Sequence, residues 1–125
     1  MIAADTSSVI AYLAGATGGD VAKLEVALQD RQVCLPPVVL TELLSAPDLP
    51  KQLATRLREL PLLAVTDGYW QRAGAVRARI LAAKRRARLG DALIAQSCLD
   101  HDVRLITRDR DFQLFVRAAG LKITA

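Results

Sequence analysis

Short apolar runs alternate with longer stretches of helical period along this chain, and that alternation predicts an α/β fold. Residues 1–4 read as a first strand, 33–35 as a second, 62–65 as a third, 103–106 as a fourth and 121–123 as an edge strand. The intervening segments read as helices. One runs over 6–13 and stops at Gly15, Gly18 and Gly19; the next is opened by Asp20 as N-cap and carries Val21, Leu24, Ala27 and Leu28 on one face. Pro36-Pro37 ends the second strand, a helix over 38–44 follows until Ala46-Pro47, and another covers about 48–60. Thr66-Asp67 caps a long helix reaching about residue 83, Gly90-Asp91 opens one through Leu99, and a short last helix follows Asp111. Strands separated by helices imply a parallel sheet built from right-handed crossovers.

A chain of 125 residues fits one domain, 1–125, and can bury a real core. With 52% apolar and only 4% aromatic residues, that core is expected to consist mainly of Ala, Leu, Val and Ile. Cys34 and Cys98 are isolated, with neither a CxxC nor the spacing of a disulfide framework or zinc site. No stretch approaches the roughly 18 apolar residues of a membrane span, and residue 1 leads straight into a core strand, so a cytoplasmic protein with no membrane partner is expected. The balance of 17 basic against 13 acidic residues, a net charge of +4, favours a polyanion or an acidic partner.

Against that basic background, four acids stand where strands end or helices begin: Asp5, Glu42, Asp91 and Asp109. Ligand crevices of open parallel sheets lie outside the carboxyl ends of the strands, so Asp5 and Asp109 stand where such a crevice is expected. Taken singly, Asp5 and Asp91 are each explained as helix N-caps, and Asp109 and Asp111 as a turn paired locally with Arg108 and Arg110. Glu42 lies in the apolar run Val38-Val39-Leu40-Thr41-Glu42-Leu43-Leu44, either on a narrow solvent face or aimed into a site. One site accounts for all four at once. Carboxylates brought together repel, which raises their pKa values, and a divalent cation removes the penalty; an oxygen-only donor set suits Mg²⁺ or Mn²⁺ better than Zn²⁺.

Asp-Thr-Ser at the first strand end, Thr-Glu-Leu after the second strand, Gly-Asp-Ala-Leu-Ile-Ala opening a helix and Leu-Ile-Thr-Arg-Asp-Arg-Asp-Phe after a later strand resemble the PIN-domain family, especially its VapC-like toxins. The match runs over essentially the whole chain. The resemblance implies a parallel five-stranded sheet flanked by helices, a homodimer, and a Mg²⁺- or Mn²⁺-dependent endoribonuclease held inactive by a cognate antitoxin. It also implies that Asp5, Glu42, Asp91 and Asp109 form the catalytic acidic quartet, with Asp5, Asp91 and Asp109 on the metal and Glu42 as a further ligand. Asp111 is left either as an alternative fourth acid or as the cap of the helix beginning at Phe112. Ser7 and Thr107 resemble the polar residues that accompany the acids, while Ala3-Ala4 is smaller than the bulky pair usual before the first acid.

Metal-activated water attacking phosphorus in line would leave a 5′-phosphate and a 3′-hydroxyl. A mechanism with paired histidines is excluded within one chain, since His101 is its only histidine. Lys84, Arg85, Arg86 and Arg88, in an acid-free basic stretch just before Asp91, are candidates for holding RNA phosphates, with a solvated helix end as the plain alternative. Tyr12 reads as structural, and Tyr69 and Trp70 as core or dimer contacts. Two rival functions remain: a Mg²⁺-dependent phosphotransfer domain using a strand-end Asp, and a PIN-like module that binds RNA or a partner without cutting.

Overall fold

Every residue of the first strand, β1 (Ile2–Ala4), is apolar, and Ala3 and Ala4 are wholly buried, as expected of a strand covered by helices on both faces. A computed structural model describes residues 1–124 of the chain. β1 lies at the centre of a parallel sheet, pairing Ala3 with Cys34 of β2 (Val33–Cys34) on one side and with Leu105 of β3 (Leu105–Ile106) on the other. β4 (Ile123–Thr124) adds in parallel to β3, giving the order β2-β1-β3-β4.

Among the described residues the sheet has four strands, not the expected five. Residues 62–65 form only a bridge, Leu35 with Leu62, made by Leu35 N–H donating to Pro61 O and Leu63 N–H donating to Leu35 O, each at 2.9 Å. The reason lies in the neighbouring strand. Pro36 and Pro37 turn the chain into a helix directly after Leu35, so no partner remains to extend the ladder.

The helices are α1 (Thr6–Leu13), α2 (Gly19–Gln29), α3 (Pro37–Leu44), α4 (Lys51–Glu59), α5 (Tyr69–Ala82), α6 (Leu89–His101) and α7 (Gln113–Ala119), the last entered through a 3-10 turn at Arg110–Phe112. Four expected helix starts move, one of them simply from about residue 48 to Lys51. Asp20 does not cap α2: Gly18 does, at φ 148°, and Asp20 lies buried inside the first turn. Gly68, left-handed at φ 82°, rather than Thr66-Asp67, begins α5. α6 begins at Leu89, which places Asp91 in its first turn and not at its cap.

Phe112 and Phe115 are the largest fully buried side chains, with ring centroids 6.0 Å apart. Aliphatic residues and alanines from all the helices complete the core around them. Tyr69 is buried and its hydroxyl donates to Leu93 O at 2.7 Å, whereas Trp70, 62% exposed, stands outside the core. Tyr12 packs partly buried against the core, and both cysteines are buried and free. No helix among the described residues is long and apolar enough to cross a membrane.

α5 ends in a left-handed residue that is not glycine. Lys84 has φ 62°, with its N–H donating to Leu81 O and the Arg85 N–H donating to Ile80 O, the pair of bonds that closes a helix over a residue position glycine normally holds. Lys84→Gly is therefore expected to raise unfolding free energy by about 0.5–1 kcal/mol, the left-handed penalty removed less the chain flexibility added. Urea unfolding of the two proteins checks this, and a loss of stability would show that the Lys84 side chain makes a stabilising contact.

Candidate functional site

The register Ala4 to Ile106 sets the carboxyl ends of β1 and β3 side by side, so the residues that follow, Asp5 and Thr107, are neighbours. Asp5 N–H donates to Ile106 O at 3.1 Å, and the residue is only 2% exposed. Its carboxylate accepts from Ser7 Oγ on both oxygens at 3.0 and 2.9 Å, from Ser8 N–H at 2.9 Å and from Thr107 Oγ1 at 2.5 Å. Asp5 thus is the N-cap of α1, and far more enclosed than a cap needs to be. Burial pushes its pKa up, and the donors from Thr107, Ser8 and Ser7 pull it partly back.

Thr107 connects this buried acid to the next. Its hydroxyl donates to Asp5 and accepts from Asp109 N–H at 3.0 Å. Asp109 Oδ1 in turn accepts from Asp111 N–H at 2.9 Å, capping the 3-10 turn. The cap role expected of Asp111 therefore belongs to Asp109, because the chain turns two residues earlier than the helical pattern suggests.

Asp91, Asp109 and Asp111 each offer a carboxylate oxygen, and these atoms all lie within 4.8 Å of one another. Burial, and then the negative charge of Asp109, push the Asp91 carboxyl up to about 6; Arg88 opposes this, while Asp111 and Glu42 add to it. Glu42 lies outside that trio. It is exposed on α3 and accepts from Thr6 Oγ1 at 2.8 Å, which ties it to the residue after Asp5. An all-oxygen trio with one carboxyl raised to about 6 could hold a hard divalent cation such as Mg²⁺ or Mn²⁺, and lacks the imidazole or thiolate that zinc favours.

Beside the trio opens a cavity of about 550 Å³, lined by Lys84, Arg85, Arg86 and Arg88 together with Asp91 and Asp111. All four basic residues singled out in the sequence thus meet two of the acids. Arg77, from the same basic stretch, is engaged elsewhere, since its Nε donates to Ala87 O at 2.8 Å and so ties down the loop that carries them. His101, the sole histidine, places Nε2 2.8 Å from Ala64 O, away from the acids.

Sequence reasoning missed the brace beneath the site. Asp20, 6% exposed, accepts from Ser8 Oγ at 2.9 Å and from Arg108 Nε and Nη2 at 2.8 and 3.0 Å. Arg108 also donates to Thr17 O at 3.1 Å and stands between Thr107 and Asp109, so it anchors the acid-bearing loop to α2. The Arg108 guanidinium, ahead of the other contacts, holds the Asp20 pKa down at about 2. Two adjacent glycines before Asp20 were the available signal, because they can start a helix without a carboxylate cap.

Two solved structures share this architecture. One is VapBC2 from Rickettsia felis bound to a DNA fragment from their promoter, with TM-score 0.76 at 19% identity over 99% of this chain and 98% of that chain. The other is VapBC-5 from Mycobacterium tuberculosis, a member of the VapBC family of toxin-antitoxin systems, with TM-score 0.59 at 23% identity over 73% of this chain and 79% of that one. At such identities the likeness is one of fold. A search of curated proteins finds no match. The sequence pattern of one family, the PIN domain, matches residues 2–119, and the chain belongs to that family.

Proposed function

We propose that this protein is a Mg²⁺- or Mn²⁺-dependent endoribonuclease, the toxin of a VapBC-type toxin–antitoxin pair, with residues 1–125 acting as one nuclease domain. One observation carries the reading: three carboxylates converge within 4.8 Å at the carboxyl edge of a parallel sheet, next to a cavity rich in arginine and lysine. Membership of the PIN family and the fold shared with two VapBC structures support it.

In this reading Asp91, Asp109 and Asp111 hold the metal, and Asp5, outside that trio, is linked to it through Thr107, whose hydroxyl bonds both the Asp5 carboxylate and Asp109 N–H. A bound divalent ion supplies a water acidic enough to attack near neutral pH and neutralises charge building on the phosphate. The protein's own groups position and exclude. Ser7 and Thr107 fix the Asp5 carboxylate through the bonds described, and Thr107 sets the height of Asp109 through its backbone. Glu42, outside the trio and exposed, accepts from Thr6 Oγ1 and would take the proton that the attacking water loses. Cleavage of the P–O3′ bond, with a solvent water protonating the leaving 3′ oxygen, would leave a 5′-phosphate and a 3′-hydroxyl. Lys84, Arg85, Arg86 and Arg88 hold substrate phosphates.

A phosphotransfer domain fits less well, because Asp5, its nucleophile, is buried with both carboxylate oxygens already occupied by donors. A silent binding module does not need a carboxyl lifted by burial and then by the neighbouring charge of Asp109. The antitoxin is expected to present a cation to the acidic trio, and a homodimer in the cytoplasm is the expected state of the free toxin. Light scattering checks the dimer.

The test is cleavage of a labelled, structured RNA by the purified protein with Mn²⁺, alongside Asp5→Asn and chelator controls, with product ends identified. Metal-dependent cuts with 5′-phosphate ends, lost in the variant, are expected. Metal-independent cuts, or 2′,3′-cyclic phosphate ends, would overturn the reading.

A further inference from the structure

The cavity beside the acids has a second wall that sequence order conceals. Besides the loop at residues 84–88 it is lined by Arg110 from the 3-10 turn and Arg117 from α7. We propose that Arg110 and Arg117 form the opposing half of a phosphate clamp, which holds a single strand of RNA between themselves and the 84–88 loop as it enters the acidic trio. The proposal rests on the nuclease reading and names the residues by which that site grips its substrate.

Charge supplies the first argument. Six cationic side chains share one cavity with two carboxylates, yet among the described residues none of the six is in an ion pair; the pairs present are Arg72–Asp100, Arg108–Asp20 and Lys122–Asp102. Unpaired cations crowded on two walls repel each other, and a polyanion is the ligand that relieves the repulsion.

Rigidity supplies the second. Asp109 caps the turn bearing Arg110, and Phe112 and Phe115, both 1% exposed, anchor the turn and α7 in the core. The facing loop is pinned by the Arg77 bond to Ala87 O. The backbone of both walls is therefore held in place before substrate arrives, so binding has to order only the exposed side chains it carries.

Size and composition select the ligand. A cavity of about 550 Å³ lies in the range that encloses a drug-sized molecule, on the order of one or two nucleotides, a size that suits a short stretch of single strand. The one aromatic ring in its lining, Phe115, is buried in the core, so bases find no exposed platform to stack on and the grip falls on the phosphates. Arg110 is the immediate neighbour of Asp111, so the clamp reaches the trio without a gap in the chain.

Binding of a labelled oligouridylate to the whole protein, followed by fluorescence anisotropy across a salt series without divalent metal, tests the clamp. The double variant R110Q/R117Q is expected to bind several-fold more weakly at low salt. Its slope of log K against log salt is expected to be shallower by about 1.4, roughly 0.7 for each lost phosphate contact. K84Q/R86Q should shift the slope in the same direction. R79Q, on a different cavity lined by Gln96 and Asp100, should not. Circular dichroism confirms that each variant is folded. An unchanged slope in R110Q/R117Q, with wild type binding and cutting RNA, overturns the clamp and leaves the nuclease reading intact. Stronger binding of duplex than of single strand also overturns it. A wild-type protein that neither binds nor cuts RNA overturns both.

Discussion

Asp91→Asn is expected to reduce metal-dependent RNA cleavage by at least about 10²-fold and, at the same time, to make the metal-free protein harder to unfold. The two effects have one cause. Burial and the charges of Asp109, Asp111 and Glu42 hold the Asp91 carboxyl at about 6, against an ordinary value of 3.8. Between those values the folded chain keeps a proton that the unfolded chain has released, so wild-type stability falls as pH rises from about 4 to about 6 and stays lowered above. The amide carries no such charge. Allowing for screening by solvent at a half-open site, the variant should gain about 1–2 kcal/mol over wild type at pH 7.5, and the gain should vanish near pH 4. Saturating Mn²⁺ should reverse the order, because only wild type binds the ion with a full trio. Denaturant unfolding at both pH values, with and without Mn²⁺, together with the cleavage assay, reads all of this. A variant that cuts like wild type would remove Asp91 from the metal site; one less stable than wild type at pH 7.5 without metal would make its carboxylate a structural contact.

The elements that could be read from sequence were those whose signals are local. The run before Asp5 and the serines after it describe a strand passing into a capped helix, and both are present. Asp91 on α6 and Asp109 and Asp111 on the turn after β3 lie far apart in the chain; their grouping was expected through the family resemblance, and the packing of α6 against α7 is what brings the two segments together. Asp20 reads as a cap because an N-cap and a buried ion-pair partner look alike along the chain; only Arg108, 88 positions away, distinguishes them. Residues 62–65 carry the composition of a strand, but pairing depends on a neighbour that the Pro36-Pro37 step had already ended. Arg110 and Arg117 sit among acids and apolar residues in sequence, so their place on the same cavity as the basic stretch emerges only from the packing of α7.

Arg108→Ala is expected to destabilise the protein by about 2–3 kcal/mol, somewhat less than the about 3–5 kcal/mol for breaking a fully enclosed pair, because the Arg108 side chain is 37% exposed while that of Asp20 is 7% exposed. The loss comes mainly from the partner left behind: a buried carboxylate retaining only the Ser8 hydroxyl and a backbone N–H. The pH dependence has the opposite sign to that of Asp91. Asp20 falls from 3.8 to about 2 on folding, so its contribution is fully present above about pH 4 and is lost as pH falls through about 2. Arg108→Ala should accordingly flatten the acid limb of the stability curve. Adding Asp20→Asn to it should recover part of the loss, since the stranded charge is then gone, and the non-additivity measures the pair. The brace also touches the acidic site, for Ser8 donates its N–H to the capping Asp5 and its hydroxyl to Asp20, and Arg108 lies between Thr107 and Asp109. Mn²⁺ affinity by calorimetry should fall about 10-fold in Arg108→Ala, in the range typical of lost outer-shell partners. If stability drops while Mn²⁺ affinity is unchanged, the pair holds α2 to the sheet and has no part in shaping the acidic trio.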